Sequence, residues 1–108
     1  METRIFRNYN DAIRAAVDWL RVNNVQVDEA FEAKGGFGMR NADGSGGYRV
    51  EFDDRSQAHI NVWCHHRKGP HYTFPGNEAA VRSLWRTLFY WDPKLKRRSQ
   101  QDHKFGLV

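Results

Sequence analysis

Histidines at positions 59, 65, 66 and 71 lie among Arg49, Lys68 and Thr73 in one short stretch of this chain. That mixture suits phosphodiester chemistry on RNA. Cleavage by the ribose 2′-hydroxyl needs a base for its proton, an acid for the leaving 5′-oxygen, and cations or donors for the phosphorane. A histidine near its ordinary pKa can serve as either acid or base. His59 and His71 are the candidate acid–base pair. Arg49 and Lys68 are the candidate phosphate stabilisers, and Thr73 is a catalytic candidate that orients the phosphate. Asn61, Trp63, His65 and Arg67 are candidate RNA contacts. This chemistry requires no metal and no cofactor, and none is expected. Zinc is the chemical competitor, because His59, His65 and His71 share a parity. The chain has neither HExxH nor CxxC, and its one cysteine, Cys64, falls on the opposite parity.

The elements that must position these residues are legible as periodicities. Ile13, Ala16, Val17 and Leu20 recur at helical spacing, which predicts a helix over 10–23 with Asn10 as N-cap and a stop at Asn23-Asn24. Residues 25–34 are ambiguous: Val25 and Val27 alternate, but 28–34 also suit a short helix. From Gly35 the period becomes two. Phe37 and Met39 alternate, 41–47 form a turn, and Tyr48, Val50 and Phe52 alternate with Arg49, Glu51 and Asp53. Residues 54–58 turn the chain. Ile60, Val62 and Cys64 then alternate with His59, Asn61, Trp63 and His65. A further turn is expected at 67–70, before a strand over 71–74. Pro75-Gly76-Asn77 opens a second helix, with Val81, Leu84, Trp85, Leu88 and Phe89 as its stripe and Asp92-Pro93 as its end.

The expected fold is therefore α+β. A three- or four-stranded antiparallel meander is packed on one face by an N-terminal and a C-terminal helix, and its other face is open. Pairing Val50 with Val62 sets Glu51 opposite Asn61 and Asp53 opposite His59. Pairing Val62 with Phe74 sets His65 opposite His71 and Trp63 opposite Thr73. Both pairings leave Arg49, Glu51, His59, Asn61, Trp63, His65, His71 and Thr73 on one polar face. A slip of two residues keeps the faces and changes the neighbours.

The 108 residues suffice for one small core. The expected organisation is one domain over 1–93 and a basic, flexible tail over 94–108. Seventeen Lys+Arg against 13 Asp+Glu give a net charge of +4. The cations Lys94, Lys96, Arg97 and Arg98 concentrate it in the tail, where they are further candidate RNA contacts. No run approaches the length of a membrane span, and no apolar segment follows Met1, so the expected compartment is the cytoplasm, with no membrane partner.

Three segments carry a family resemblance: Gly47-Tyr48-Arg49-Val50-Glu51-Phe52-Asp53, Ala58-His59-Ile60-Asn61-Val62-Trp63, and Lys68-Gly69-Pro70-His71-Tyr72-Thr73-Phe74. Together they resemble C-terminal toxin domains of bacterial polymorphic and contact-dependent secretion systems. Many such domains are similar to the small ribonuclease superfamily of barnase-like and RelE-like folds. The resemblance implies an antiparallel sheet that presents His59, Lys68, His71 and Thr73 to RNA without metal, supported by Arg49 and Asn61. That superfamily usually places its helices before the sheet, whereas here a strong helix follows it.

The expected function is a toxin-type, metal-independent endoribonuclease acting on tRNA or mRNA, with a cognate immunity or antitoxin protein as a second partner. The alternative is a non-catalytic RNA- or protein-binding module that uses the same face, with Trp63 as anchor. A third reading is a small interaction protein whose histidines have no chemical role.

Overall fold

The computed structural model describes residues 2–33, 35–55 and 57–91, with side chains through residue 87 in the last helix. The chain runs β1(Thr3–Ile5), α1(Tyr9–Val22), β2(Glu29–Ala33), β3(Gly36–Arg40), β4(Gly47–Asp53), β5(Gln57–Cys64), β6(Arg67–Thr73), α2(Glu78–Trp91). All six strands form one sheet in the order β1-β6-β5-β4-β3-β2. The fold is α+β, but the sheet is not the expected three- or four-stranded antiparallel meander. It is wider at both edges, and β1 pairs parallel to β6. The expected boundary at 93/94 and the four tail cations (Lys94, Lys96, Arg97, Arg98) lie outside the described residues.

Both missed strands have a local reason. β1 is three exposed residues long, too short for a period to register. Its ladder is extended by Phe6 N–H donating to the Thr73 carbonyl (2.9 Å) and His71 N–H donating to the Glu2 carbonyl (2.8 Å). β2 reads Glu-Ala-Phe-Glu-Ala, and its one large apolar residue, Phe31, faces away from the core while Ala30 faces in. That inverts the usual sign of an amphipathic strand.

The helices form where their stripes predict; the Leu88 and Phe89 side chains and the expected end at Asp92-Pro93 lie outside what is described. The Asn8 side chain caps α1 by accepting from Asp11 N–H at 2.8 Å, so the cap lies two residues before the expected Asn10. Asn77 caps α2 by accepting from Ala80 N–H at 2.9 Å. α1 lies over β4, β5 and β6, and α2 over β3 and β4. Ala12, Ala16, Leu20 and Val81 meet Phe37, Val50, Ile60, Val62 and Tyr72 in a single core. Tyr72 is fully buried there.

Two turns and a bulge set the register. The β4–β5 connection is shorter than expected, so Asp53 pairs with Gln57, whose φ of 58° closes the loop. The β5–β6 turn falls at His65-His66, not at 67–70. Both histidines are left-handed (φ 51° and 64°), the geometry of a two-residue hairpin turn, and histidine adopts it more readily than most side chains. Gly69-Pro70 lies within β6. There Asn61 pairs with His71 and Trp63 with Lys68, so two β6 residues oppose one on β5, a β-bulge. Proline lacks the N–H a regular ladder needs, and a Cβ at Gly69 would lie 2.6 Å from the Trp19 ring.

Candidate active site on the open sheet face

Strand partners share a face, so the pairings place side chains in rows across the sheet. One row runs Gly36, Glu51, His59, Thr73. The next runs Phe31, Gly38, Arg49, Asn61, His71. The third runs Arg40, Gly47, Trp63, Lys68. Alternation had assigned most of these residues to this face correctly, but not their neighbours. The expected pairs Glu51–Asn61, Asp53–His59, His65–His71 and Trp63–Thr73 are replaced by Glu51–His59, Arg49–Asn61, Asn61–His71 and Trp63–Lys68.

Glu51 is the hub of the new arrangement. Its Oε1 accepts from His59 Nε2–H (3.0 Å) and from the Asn61 amide (2.6 Å). Its Oε2 lies 2.6 Å from Arg49 Nε, an ionic approach without the angle of a good hydrogen bond. Burial alone would raise the Glu51 carboxyl, but the His59 N–H, the Arg49 charge and the Asn61 amide outweigh it and hold the group down at about 2.

His59 is buried, with 1% of its surface exposed, although its parity assigns it to the open face. Its Nδ1 faces the Gln57 carbonyl at 2.9 Å and its Nε2 faces Glu51. Both ring nitrogens therefore donate, and the ring is an imidazolium. Burial opposes that charge, while the Glu51 and Gln57 contacts and nearby Asp53 raise the pKa overall. His71 stacks on this ring with centroids 5.2 Å apart and planes 25° from parallel. Its own pKa is lowered, first by burial, then by the His59 charge, with Lys68 acting in the same direction. A neutral imidazole thus lies against a charged one, and the neutral ring is the more accessible of the two.

An open depression of about 450 Å³ gathers Arg49, Glu51, His59, Asn61, Trp63, Lys68 and His71 along its lining, with Asp53 and His66 beside them. Lys68 and His71 are three residues apart, so strict alternation would put them on opposite faces; the bulge brings them together. The other candidates are placed elsewhere. Thr73 donates its hydroxyl to the Arg4 carbonyl (3.3 Å), tying β6 to β1. Arg67 pairs with Cys64 and takes that residue's opposite parity. His65 is exposed in the turn. None of these three lines the depression.

The residue that sequence reasoning missed is Glu51. The alternation places it on the polar face but gives it no role, because its meaning depends on His59 being its cross-strand partner. Glu51, Asp53 and His59 each bring a ligand-type atom within 4.8 Å of the others. The donor set fits a metal poorly. The His59 ring presents no lone pair while both nitrogens donate, and the Glu51 oxygens already hold His59, Asn61 and Arg49. Cys64 is buried, and its thiol approaches the Asn23 carbonyl at 3.6 Å, which removes it from any ligand set here.

No protein-family model and no curated protein sequence matches this chain. Among the described residues no helix is long and apolar enough to cross a membrane.

Proposed function

We propose that the open sheet face is the active site of a metal-independent, toxin-type endoribonuclease, with His71 as general base. One observation carries this reading: His71 is a neutral, accessible imidazole stacked on the buried His59 imidazolium, in a depression that also holds Lys68 and Arg49. In this scheme His71 removes the 2′-hydroxyl proton. The 2′-oxygen forms its bond to phosphorus, and the bond to the 5′-oxygen breaks. Lys68 supplies the proton that the leaving oxygen takes. Arg49 and the His59 charge create a positive potential that stabilises the phosphorane as it develops. The products are a 2′,3′-cyclic phosphate and a 5′-hydroxyl.

His59 is a positioning residue in this scheme, not the acid partner of His71, because both its N–H groups are already bonded. The resemblance of residues 47–74 to toxin domains supports the same reading, as does an open face that sets Lys68 and Arg49 beside His71. Cytoplasmic RNA, tRNA or mRNA, is the proposed substrate, and a cognate immunity or antitoxin protein the proposed inhibitor.

The test is incubation of the purified protein with total RNA in EDTA, beside the His71→Ala variant. Cleavage that survives EDTA and disappears in the variant supports the reading. Intact RNA with the wild type overturns it. If RNA is bound but left intact, the domain is a binding module.

A further inference from the structure

Two aromatic rings lie on the face away from the core. Phe31 and Trp63 meet edge to face with centroids 6.1 Å apart, although two strands separate β2 from β5. Each ring has a glycine as its neighbour on its own row, Gly38 beside Phe31 and Gly47 beside Trp63, and Arg49 and Arg40 come next along those rows. Neither glycine tolerates a side chain: a Cβ at Gly38 would collide with the Tyr48 carbonyl, and one at Gly47 with the Met39 carbonyl. The result is an aromatic pair lying over glycine backbone.

Two further contacts hold the rings in place. The indole N–H of Trp63 donates to the Gly44 carbonyl at 3.0 Å. The Arg40 guanidinium lies 5.1 Å from the centre of the Phe31 ring. Trp63 also lines the depression that contains His71. It is two residues along β5 from Asn61, the partner of His71, a distance of about 7 Å.

A solvent-facing sheet surface is ordinarily polar, so fixed rings alternating with arginines call for an occupant that is both flat and anionic. We infer that this aromatic pair, at the edge of the depression, is a nucleobase subsite: Trp63, braced by Phe31, stacks an unpaired base of single-stranded RNA next to the phosphate held at His71. The inference rests on the ribonuclease reading for the identity of the neighbouring site. Base stacking on a fixed aromatic requires a base free of its partner, so the substrate class is single-stranded or looped RNA, not duplex. Arg40 and Arg49 lie on either side of Gly38 and Gly47, paired with Glu29 (3.8 Å) and Glu51 (2.6 Å), and the flanking phosphates share these cations with the carboxylates.

The test uses the full chain in the His71→Ala background, which keeps the probe intact, at fixed ionic strength. Affinity for a short fluorescent single-stranded RNA is measured by anisotropy. It is repeated with probes carrying one abasic nucleotide at each position in turn, and with the same sequence as a duplex. Trp63→Ala is expected to weaken single-strand binding roughly 10- to 100-fold, the scale of one lost aromatic–base stack. Trp63→Phe is expected to restore most of it. One abasic position is expected to cost the Trp63 protein the same factor and to cost Trp63→Ala nothing further. The duplex is expected to bind at least as weakly as that abasic probe.

Equal affinity for intact and every abasic probe overturns the subsite, even if Trp63→Ala is misfolded, since that comparison uses unmodified Trp63. So does duplex binding as tight as single-strand binding. Cleavage by the wild type without base–Trp63 coupling defeats this inference alone. Coupling without cleavage keeps the base subsite and defeats the chemistry.

Discussion

The helix-covered face and the open face of this sheet are made from alternate residues of the same strands, yet they are held by opposite physics. On the covered face Val50, Ile60, Val62 and Tyr72 are essentially inaccessible and pack against Ala12, Ala16 and Leu20. Their stabilisation is non-directional and scales with the apolar area removed from water. On the open face His59 is as deeply buried as Ile60, but as a cation whose every proton is directed at an acceptor. That arrangement depends on geometry, because an unpartnered buried charge is costly while a paired one is nearly neutral. The covered face is therefore sensitive to lost volume and the open face to lost charge pairing. The open face in turn is where a change can remove chemistry without removing the fold.

The largest separation between the faces is expected from His71→Ala. RNA cleavage should fall about 10²- to 10⁴-fold, the usual contribution of a general base, with little change in melting temperature. A matching loss of stability would show that His71 is structural. Ile60→Ala is the converse. It should lower stability by about 2–5 kcal/mol in urea unfolding while leaving the rate per folded molecule nearly unchanged.

Glu51→Gln should cost about 2 kcal/mol at neutral pH, because the His59 cation loses its counter-charge but keeps an acceptor. It should also flatten the pH profile of stability. The depressed Glu51 carboxyl contributes fully above 4.5 and loses that contribution as pH falls toward about 2. The raised His59 contributes fully below 6.5 and loses that contribution as pH rises through its folded value. Wild-type stability should thus be greatest between those limits, and calorimetry across pH should find both slopes weakened in the variant. Cleavage should retain an acid limb placed below 6.5, since His71 holds its proton less firmly than an ordinary histidine.

The smallest effect should come from Glu32→Gln at the sheet edge. Burial raises Glu32 to about 7, although the Trp85 indole donates to it at 3.0 Å. A raised carboxyl costs stability progressively as pH climbs from 4.5 to about 7. The variant should melt slightly higher than wild type above pH 7 and identically near pH 4.

The covered face could be read from the chain almost residue by residue. The apolar set at 48, 50, 52, 60, 62, 64, 72 and 74 needs only the two-residue repeat of a strand. The α1 stripe, the α2 stripe through Trp85 and the Asn77 cap follow from the 3.6-residue repeat in the same way. The open face was legible as a set and illegible as a site. The expected turn at 67–70 took Gly-Pro as a corner, where the fold uses it as a bulge and turns at two left-handed histidines. Moving that turn carries His71 from His65 to Asn61 and brings Lys68 onto the face of His71. Shortening the β4–β5 loop carries His59 from Asp53 to Glu51.

What the sequence alone determined is which residues share a face, because that depends on local periodicity and on the free energy of burying one side. Which of them touch was decided only by the tertiary structure. A slip of two residues leaves every apolar residue buried, so burial cannot choose between registers. Loop closure, a proline with no N–H to give, and glycines that admit a neighbouring carbonyl make that choice. The buried imidazolium, the neutral ring stacked on it and the Phe31–Trp63 pair exist only in the register that results.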